Sequence, residues 1–178
     1  MFKIFHDTHY LFRDQIRKLY IESFAKKGHT KFFNLEDLDK EIQLAYQEGL
    51  MMVAVDENDE NQLTGALLVY PLEYNAGFNP ELAEVCDQRH TPYIAEVIVN
   101  EKFSKMGLRR KLLTNTFTHL KELRFKEVFT RVWKKNFFSL NFYKSACFNY
   151  VNSILKSKIH SEKQTRFTVK DLYLKRGL

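Results

Sequence analysis

The sequence predicts an α/β (α+β) chain in which helices flank a central sheet. Three observations lead there. Apolar residues recur at helical spacing twice near the start. A pair of short, nearly continuous apolar runs follows. The second half then alternates strand, helix, strand, helix and two further strands.

"FKIF" (Phe2–Phe5) reads as a first strand. A helix is expected from about His9, with Phe12, Ile16, Leu19, Tyr20 and Phe24 on one stripe; "KKGHTK" breaks it. "NLEDLDKEIQLAYQEG" reads as a second helix, capped by Asn34, with the acids Glu36 and Asp37 in its first turn and Gly49 at its end. Leu50–Val55 and Leu63–Tyr70 read as a strand pair around the acidic loop "DENDENQ". "NPELAEVCDQ" suggests a short helix with Asn79 as cap and Pro80 in first position. Then come a strand, Tyr93–Val99, a loop to Met106, and a helix to about Arg124 that buries Leu112, Leu113, Phe117, Leu120 and Leu123. Glu127–Trp133 is a strand, Asn136–Ala146 a helix capped by Asn136, and "NYVNSILKSKI" and "TRFTVKDLYL" supply two last strands. Trp133 and the many Phe residues read as core.

The chain has 178 residues, 44% of them hydrophobic and 28% charged, which fits one domain over residues 1–178 with a sizeable core. No apolar run approaches the ~20 residues of a membrane helix, and the start lacks the apolar stretch of a secretory signal. Cys86 and Cys147 stand alone, with no His at ligand spacing, so neither a disulfide framework nor a metal site is expected and a cytoplasmic location is.

Charge is unevenly spread. Residues 1–92 carry 9 Lys and Arg against 16 Asp and Glu, and residues 93–178 carry 19 against 6. A solvated surface accounts for this, and so do two subsites of opposite charge preference in one domain. No nucleic-acid-binding motif accompanies the cations, so nucleic acid is not an expected partner.

The stretch "EVIVNEKFSKMGLRRKLL" passes from an apolar strand through a loop into a helix, with Gly107 at the change and Lys105, Arg109, Arg110 and Lys111 around it. A helix start exposes unpaired N–H groups and partial positive charge, and a glycine there admits a phosphate. An ordinary strand-to-helix turn with a cationic face fits equally well.

Together with "EVFTRVW" and "NFFSLNFYKSACF", this stretch resembles the GNAT acetyltransferase superfamily. That family shows an apolar strand, then Gln/Arg-x-x-Gly-x-Gly/Ala opening a helix, then a strand, then Asn-x-x-Ala/Ser-x-x-x-Tyr running into Gly-Phe. Asn136, Ser139, Tyr143 and Phe148 fit the second half, with Cys147 in place of the Gly. In the first half Gly107 fits, while Ser104 and Arg109 stand at the other two positions. The N-terminal helices and hairpin extend the resemblance over nearly the whole chain.

The resemblance implies a central mixed, mostly antiparallel sheet whose middle strands, Tyr93–Val99 and Glu127–Trp133, splay apart. It implies acetyl-CoA as co-substrate and no metal. The pantetheine arm would lie along Val97, Ile98 and Val99 and pair with the backbone of Val97 and Val99. The pyrophosphate would rest on the turn formed by Ser104, Lys105, Met106, Gly107, Leu108, Arg109 and Arg110, with Asn136 nearby. Arg109 either points outward to a phosphate or narrows the site.

Acyl transfer to an amine needs a group to take the amine's proton and one to serve the departing thiolate. Glu96, in the apolar strand, suits the first role, and pairing with an Arg or a place at the strand's wet end suits it as well. Tyr143 matches the family's acid position, and it also fits a packed core tyrosine. The expected activity is acetyl transfer to the primary amine of a small molecule or of a protein or peptide, by direct attack. Residues 24–35 and 72–92 are expected to shape the acceptor pocket. Alternatives are an enzyme resembling N-acyl amino acid or autoinducer synthases, with acyl carrier protein as donor, and a non-catalytic binding module. A homodimer is allowed.

Overall fold

The computed structural model describes residues 2–25, 35–75, 82, 84, 86–159 and 166–178, with residues 24, 25, 156–159, 166, 167 and 169 described through their backbone alone. The elements are β1 (Phe2–His6), α1 (Arg13–Ala25), α2 (Leu35–Glu48), β2 (Leu50–Asp56), β3 (Asp59–Pro71), β4 (Pro92–Val99), α3 (Leu108–Glu122), β5 (Glu127–Trp133), α4 (Phe137–Ser145), β6 (Asn149–Ile159) and β7 (Arg166–Gly177). Short 3₁₀ turns at Leu72–Tyr74 and Glu101–Met106 follow β3 and β4.

The strands form one seven-stranded sheet in the order β1-β2-β3-β4-β5-β7-β6. Every neighbouring pair is antiparallel except β4 and β5, which are parallel. Strand alternation explains why β2 reads as one apolar run. Leu50, Met52 and Ala54 face the α3 and α4 side, whereas Met51, Val53 and Val55 face α1 and α2. Both faces are covered, so every position from Leu50 to Val55 is apolar. On the α3 side Leu112, Leu113, Phe117 and Leu120 fill the core. On the other side Ile16, Leu19, Leu38, Ile42 and Ala45 do so. Gly49 is dictated by packing: a Cβ there would lie 2.0 Å from the Val69 carbonyl oxygen and 2.8 Å from the Tyr70 Cα.

Several expectations need correction. Helix α1 starts at Arg13 rather than near His9. The buried Asp7 carboxylate accepts the N–H groups of His9 at 3.1 Å, Leu11 at 3.3 Å and Phe12 at 3.1 Å, holding a tight turn with Tyr10 at a φ of 60°. The acidic loop is mostly strand: Asp56 pairs with Asp59, leaving a turn at Glu57 and Asn58 that the Asp56 carboxylate closes by accepting from the Asn58 N–H at 3.0 Å. Leu123 is 56% exposed, because α3 ends at Glu122 and the chain reverses at Arg124, with a φ of 66°. Phe137 and Phe138 are exposed at the start of α4 instead of joining the core. The break at "KKGHTK", the cap Asn34, and Asn79 and Pro80 of the expected short helix lie outside the described residues, as does the side chain of Phe24. Among the described residues no helix is long and apolar enough to cross a membrane.

Candidate active site

The parallel pairing of β4 with β5 consists of Tyr93 with Phe129 and Ile94 with Thr130. The Thr130 hydroxyl adds a bond to the Ile94 carbonyl at 3.0 Å. Beyond Ile94 the β5-facing edge of β4 has no ladder partner on β5, so the two strands part in the middle of the sheet. The register between β3 and β4 also shifts here: Leu68 pairs with Glu96 and Val69 with Ile94. Ala95 is the extra residue of a bulge. The bulge sends the Glu96 side chain toward α1, where the Tyr20 hydroxyl donates to its Oε1 at 3.4 Å.

Glu96 is partly buried at the base of the gap. Burial, and then the charge of Glu41 on α2, push its carboxyl up to about 8, against the pull of Tyr20, Arg131 and Arg109. Tyr143, on α4, is buried against Phe148 at 5.1 Å between ring centres. Burial pushes its phenol up to about 12, and the negative charge of Glu96 acts in the same sense; Thr130 and Arg109 pull it down. Glu96, on β4 and bonded toward α1, and Tyr143, on α4, therefore feel each other across the gap.

Past β4, the Asn100 side chain accepts the Lys102 N–H at 3.1 Å and starts the 3₁₀ turn, which Gly107 ends. Gly107 has a φ of 72° and serves as N-cap of α3. A Cβ on it would meet nothing within 4 Å. The turn is therefore open beside Gly107, and a helix start carries N–H groups without intrahelical partners, which suits an anion. Ser104, Lys105, Met106 and Arg110 are exposed around this turn, and Leu108 anchors it in the core.

Several of these side chains already have partners. The Ser104 hydroxyl donates to the Glu101 carbonyl at 2.8 Å. Arg110 donates to the Ser145 carbonyl at 3.3 Å, tying α3 to α4. The Asn136 side chain caps α4 by accepting the Ser139 N–H at 3.1 Å, as its sequence position suggests. Lys111 lies 5.7 Å from the Phe2 ring centre, on the β1 side. Arg109 turns toward the gap: its guanidinium lies 5.1 Å from the ring centre of Phe138 and 5.4 Å from that of Phe142.

The α1 and α2 side of the gap carries residues the sequence reading did not single out for function. The Tyr70 hydroxyl donates to Glu41 Oε1 at 3.4 Å. Arg131 bonds Asn75 at 2.5 Å and pairs with the buried Asp171 at 3.4 Å, bracing β5 against β7 and the turn after β3. Glu41 was detectable in principle. It sits between Leu38 and Ala45 at helical spacing, an acid within an otherwise buried apolar stripe.

A cavity of about 220 Å³ lies elsewhere, at the start of β4 and the end of α3, lined by Leu50, Val69, Pro92, Leu120 and Phe125 among others. Its wall is mainly apolar and it shares no residue with the gap beyond Tyr70. Among the described residues no group of three or more His, Cys, Asp or Glu is placed to hold a metal.

The sheet is seven-stranded, mostly antiparallel and parted between its parallel middle strands, with a glycine-capped helix at the parting. The family model described as the acetyltransferase (GNAT) family matches residues 13–147, from the first residue of α1 to the turn after α4, and the chain belongs to that family. Solved structures agree in fold. Ribosomal-protein-alanine N-acetyltransferase from Brucella melitensis is 18% identical with a TM-score of 0.66, covering 99% of each chain. The ribosomal-protein-S18-alanine N-acetyltransferase of Escherichia coli is 12% identical with a TM-score of 0.66, covering 99% of this chain and 94% of that one. A Bacillus anthracis protein assigned as a streptothricin acetyltransferase, solved in complex with acetyl coenzyme A, is 13% identical with a TM-score of 0.54, covering 72% of this chain and 62% of that one. No curated protein sequence matches the chain.

Proposed function

We propose that residues 1–178 form one cytoplasmic N-acyltransferase domain that moves an acetyl group from acetyl-CoA to a primary amine by direct attack. The observation that carries this reading is the gap itself, with Glu96 reaching it from the α1 side and Tyr143 from the α4 side. The exposed, left-handed Gly107 and the free helix start behind it fit the phosphates of the donor. Val97, Ile98 and Val99 offer a strand edge to the pantetheine amides, and the amides from Lys105 to Arg109 form the phosphate cradle, the Arg110 N–H donating to the Gly107 carbonyl at 3.0 Å. Ser104 and Asn136 flank this path through the turns that they cap or close. The family membership and the acetyl coenzyme A in one structural neighbour support the same donor.

The reaction has two protons to place. Glu96 takes one from the acceptor's ammonium, freeing the nitrogen to attack the thioester carbon. The new N–C bond forms and the C–S bond breaks. The attacking nitrogen must lose a second proton, and the departing sulfur needs one. Tyr143 stays protonated at working pH, so its hydroxyl can pass a proton to sulfur and regain one. A thiol's pKa near about 8.5 lies below that of the buried phenol. Tyr143 therefore stabilises sulfur mainly as a hydrogen-bond donor until the nitrogen's proton is available.

The acceptor is a cationic amine, of a small molecule or a peptide. Glu41 and Glu96 present carboxylates on the acceptor side, with Tyr20 and Tyr70 bonded to them, and the acidic half of the chain builds that side. Arg109 favours a second reading, because its large side chain lies beside the donor path. In that reading a carrier protein, drawn to the basic half, brings an acyl group on a phosphopantetheine arm alone. A panel of polyamines, lysine-like amines, aminoglycosides and amino acids, assayed for thiol release from acetyl-CoA, tests the proposal. Turnover is expected with the cationic amines. Turnover confined to free amino acids, or transfer from acyl carrier protein and none from acetyl-CoA, would overturn it.

A further inference from the structure

The end of the sheet at which β5 runs into α4 carries large side chains that the core does not take up. Lys134, Lys135, Asn136, Phe137 and Phe138 are exposed in succession. The two rings are 71% and 69% exposed, and Phe138 also meets the Arg109 guanidinium.

The neighbouring strands continue this surface. The Lys134 N–H donates to the Lys170 carbonyl at 2.8 Å, so the run starts beside β7. Lys170 pairs in register with Leu155 of β6. Both are exposed, Leu155 by 68%. Lys170 alternates with Leu172 and Leu174, which join the core on the α3 and α4 side, so Lys170 and Leu155 stand on the sheet face that carries α4. Three large apolar side chains and three lysines thus adjoin at one end of one face. The segment from Lys134 to Ile159 contains no Asp or Glu. The acid next to Lys170, Asp171, is turned to the other face, where it is buried and pairs with Arg131 at 3.4 Å.

We propose that this surface docks the chain on an anionic lipid bilayer, with Phe137, Phe138 and Leu155 entering the headgroup layer and Lys134, Lys135 and Lys170 lying over the lipid charges. Charge complementarity calls for an anionic occupant. The apolar side chains choose among anionic occupants. Residues that line a groove are shielded by its walls, whereas these three project. A fluid headgroup layer closes around projecting side chains, while a folded acidic protein needs a preformed pocket for each. An exposed leucine suits acyl chains and gives a nucleic-acid base no ring to stack on. The contact lies on the membrane and does not cross it, and among the described residues no helix is long and apolar enough to cross one. Each lysine at such a surface strengthens binding about fivefold, and burial of a phenylalanine side chain at least about tenfold.

The test is co-sedimentation of the full chain with vesicles of equal parts phosphatidylcholine and phosphatidylserine, beside vesicles of phosphatidylcholine alone. It needs neither donor nor acceptor, so its outcome is separate from whether the chain transfers acetyl groups. The wild type should sediment with the mixed vesicles, much less with the neutral ones, and should be released by added salt. Phe137→Ser should weaken binding at least about tenfold, and Lys134→Gln with Lys135→Gln about 30-fold. Leu155→Ser gives the same reading from a different strand if either variant fails to unfold cooperatively. Leu11→Ser is the control: Leu11 is 71% exposed at the turn before α1, and its loss should leave binding at the wild-type level. Four results would overturn the proposal. They are no sedimentation of the wild type with the mixed vesicles, wild-type binding by the Phe137 and lysine variants, an equal loss in Leu11→Ser, and binding of a glutamate-rich peptide or a single-stranded oligonucleotide in place of vesicles.

Discussion

Tyr143→Phe should lower kcat by about 100- to 10,000-fold, the usual range for a group that handles a proton in the transition state, while affinity for the donor stays within a small factor. The ring is part of the α3-side core, packed against Phe142 and Phe148. Phenylalanine keeps that packing and removes only the hydroxyl. Steady-state rates together with thermal unfolding decide the matter. A variant that loses stability yet keeps its rate per folded site would make Tyr143 a core residue and nothing more.

Glu96→Gln should cost a similar factor in kcat/KM, with a distinctive pH dependence. A carboxyl that titrates at about 8 is a base only above that pH. Below it the wild-type carboxyl is itself protonated, and its advantage over glutamine falls. Far above it the acceptor amine, with a pKa near about 10.4 for a lysine-like group, deprotonates unaided. The loss should therefore be greatest between the two values and shrink on either side. A rate deficit that is flat with pH would mean that Glu96 holds substrate or strand and that water takes the proton.

How much of this was legible in the sequence depends on where each signal resides. Strands β2, β3 and β4 announced themselves because both sheet faces are covered, which makes most of the side chains in their central stretches apolar. The Asn136 cap of α4 was legible because the signal is local. The Asp7 turn was not, since it needs one carboxylate to gather three N–H groups that a helical stripe would otherwise claim. The hairpin at Glu57 and Asn58 was hidden by its charges: they suggest a loop, but exposed strand ends carry them equally well.

At the site, the parting of β4 and β5 followed from family resemblance, and the structure agrees with it. The resemblance also singled out Tyr143, whereas Glu96 was read from its place in the apolar strand. The direction of Arg109 could not be read, because it depends on Phe138 and Phe142, whose helix is positioned by β5. Glu41 went unnoticed because an acid at the edge of an apolar helical stripe looks like its solvent boundary until the tyrosine from β3 is seen to reach it. Tyr20 was visible only as part of a stripe, and its hydroxyl acquires meaning from the bulge in β4.

The central claim, that the start of α3 holds the phosphates of acetyl-CoA beside the parted strands, is tested most directly by calorimetric titration of acetyl-CoA into the full chain and its Gly107→Glu variant. Gly107 sits at a φ of 72° with open space in front of it. A glutamate there would place a carboxylate where the phosphates should lie, and the left-handed backbone would add only about 1–2 kcal/mol of strain. The account predicts one binding site in the wild type and none in a variant that still unfolds cooperatively. Equal affinity in both chains, or no binding by the wild type, would contradict it.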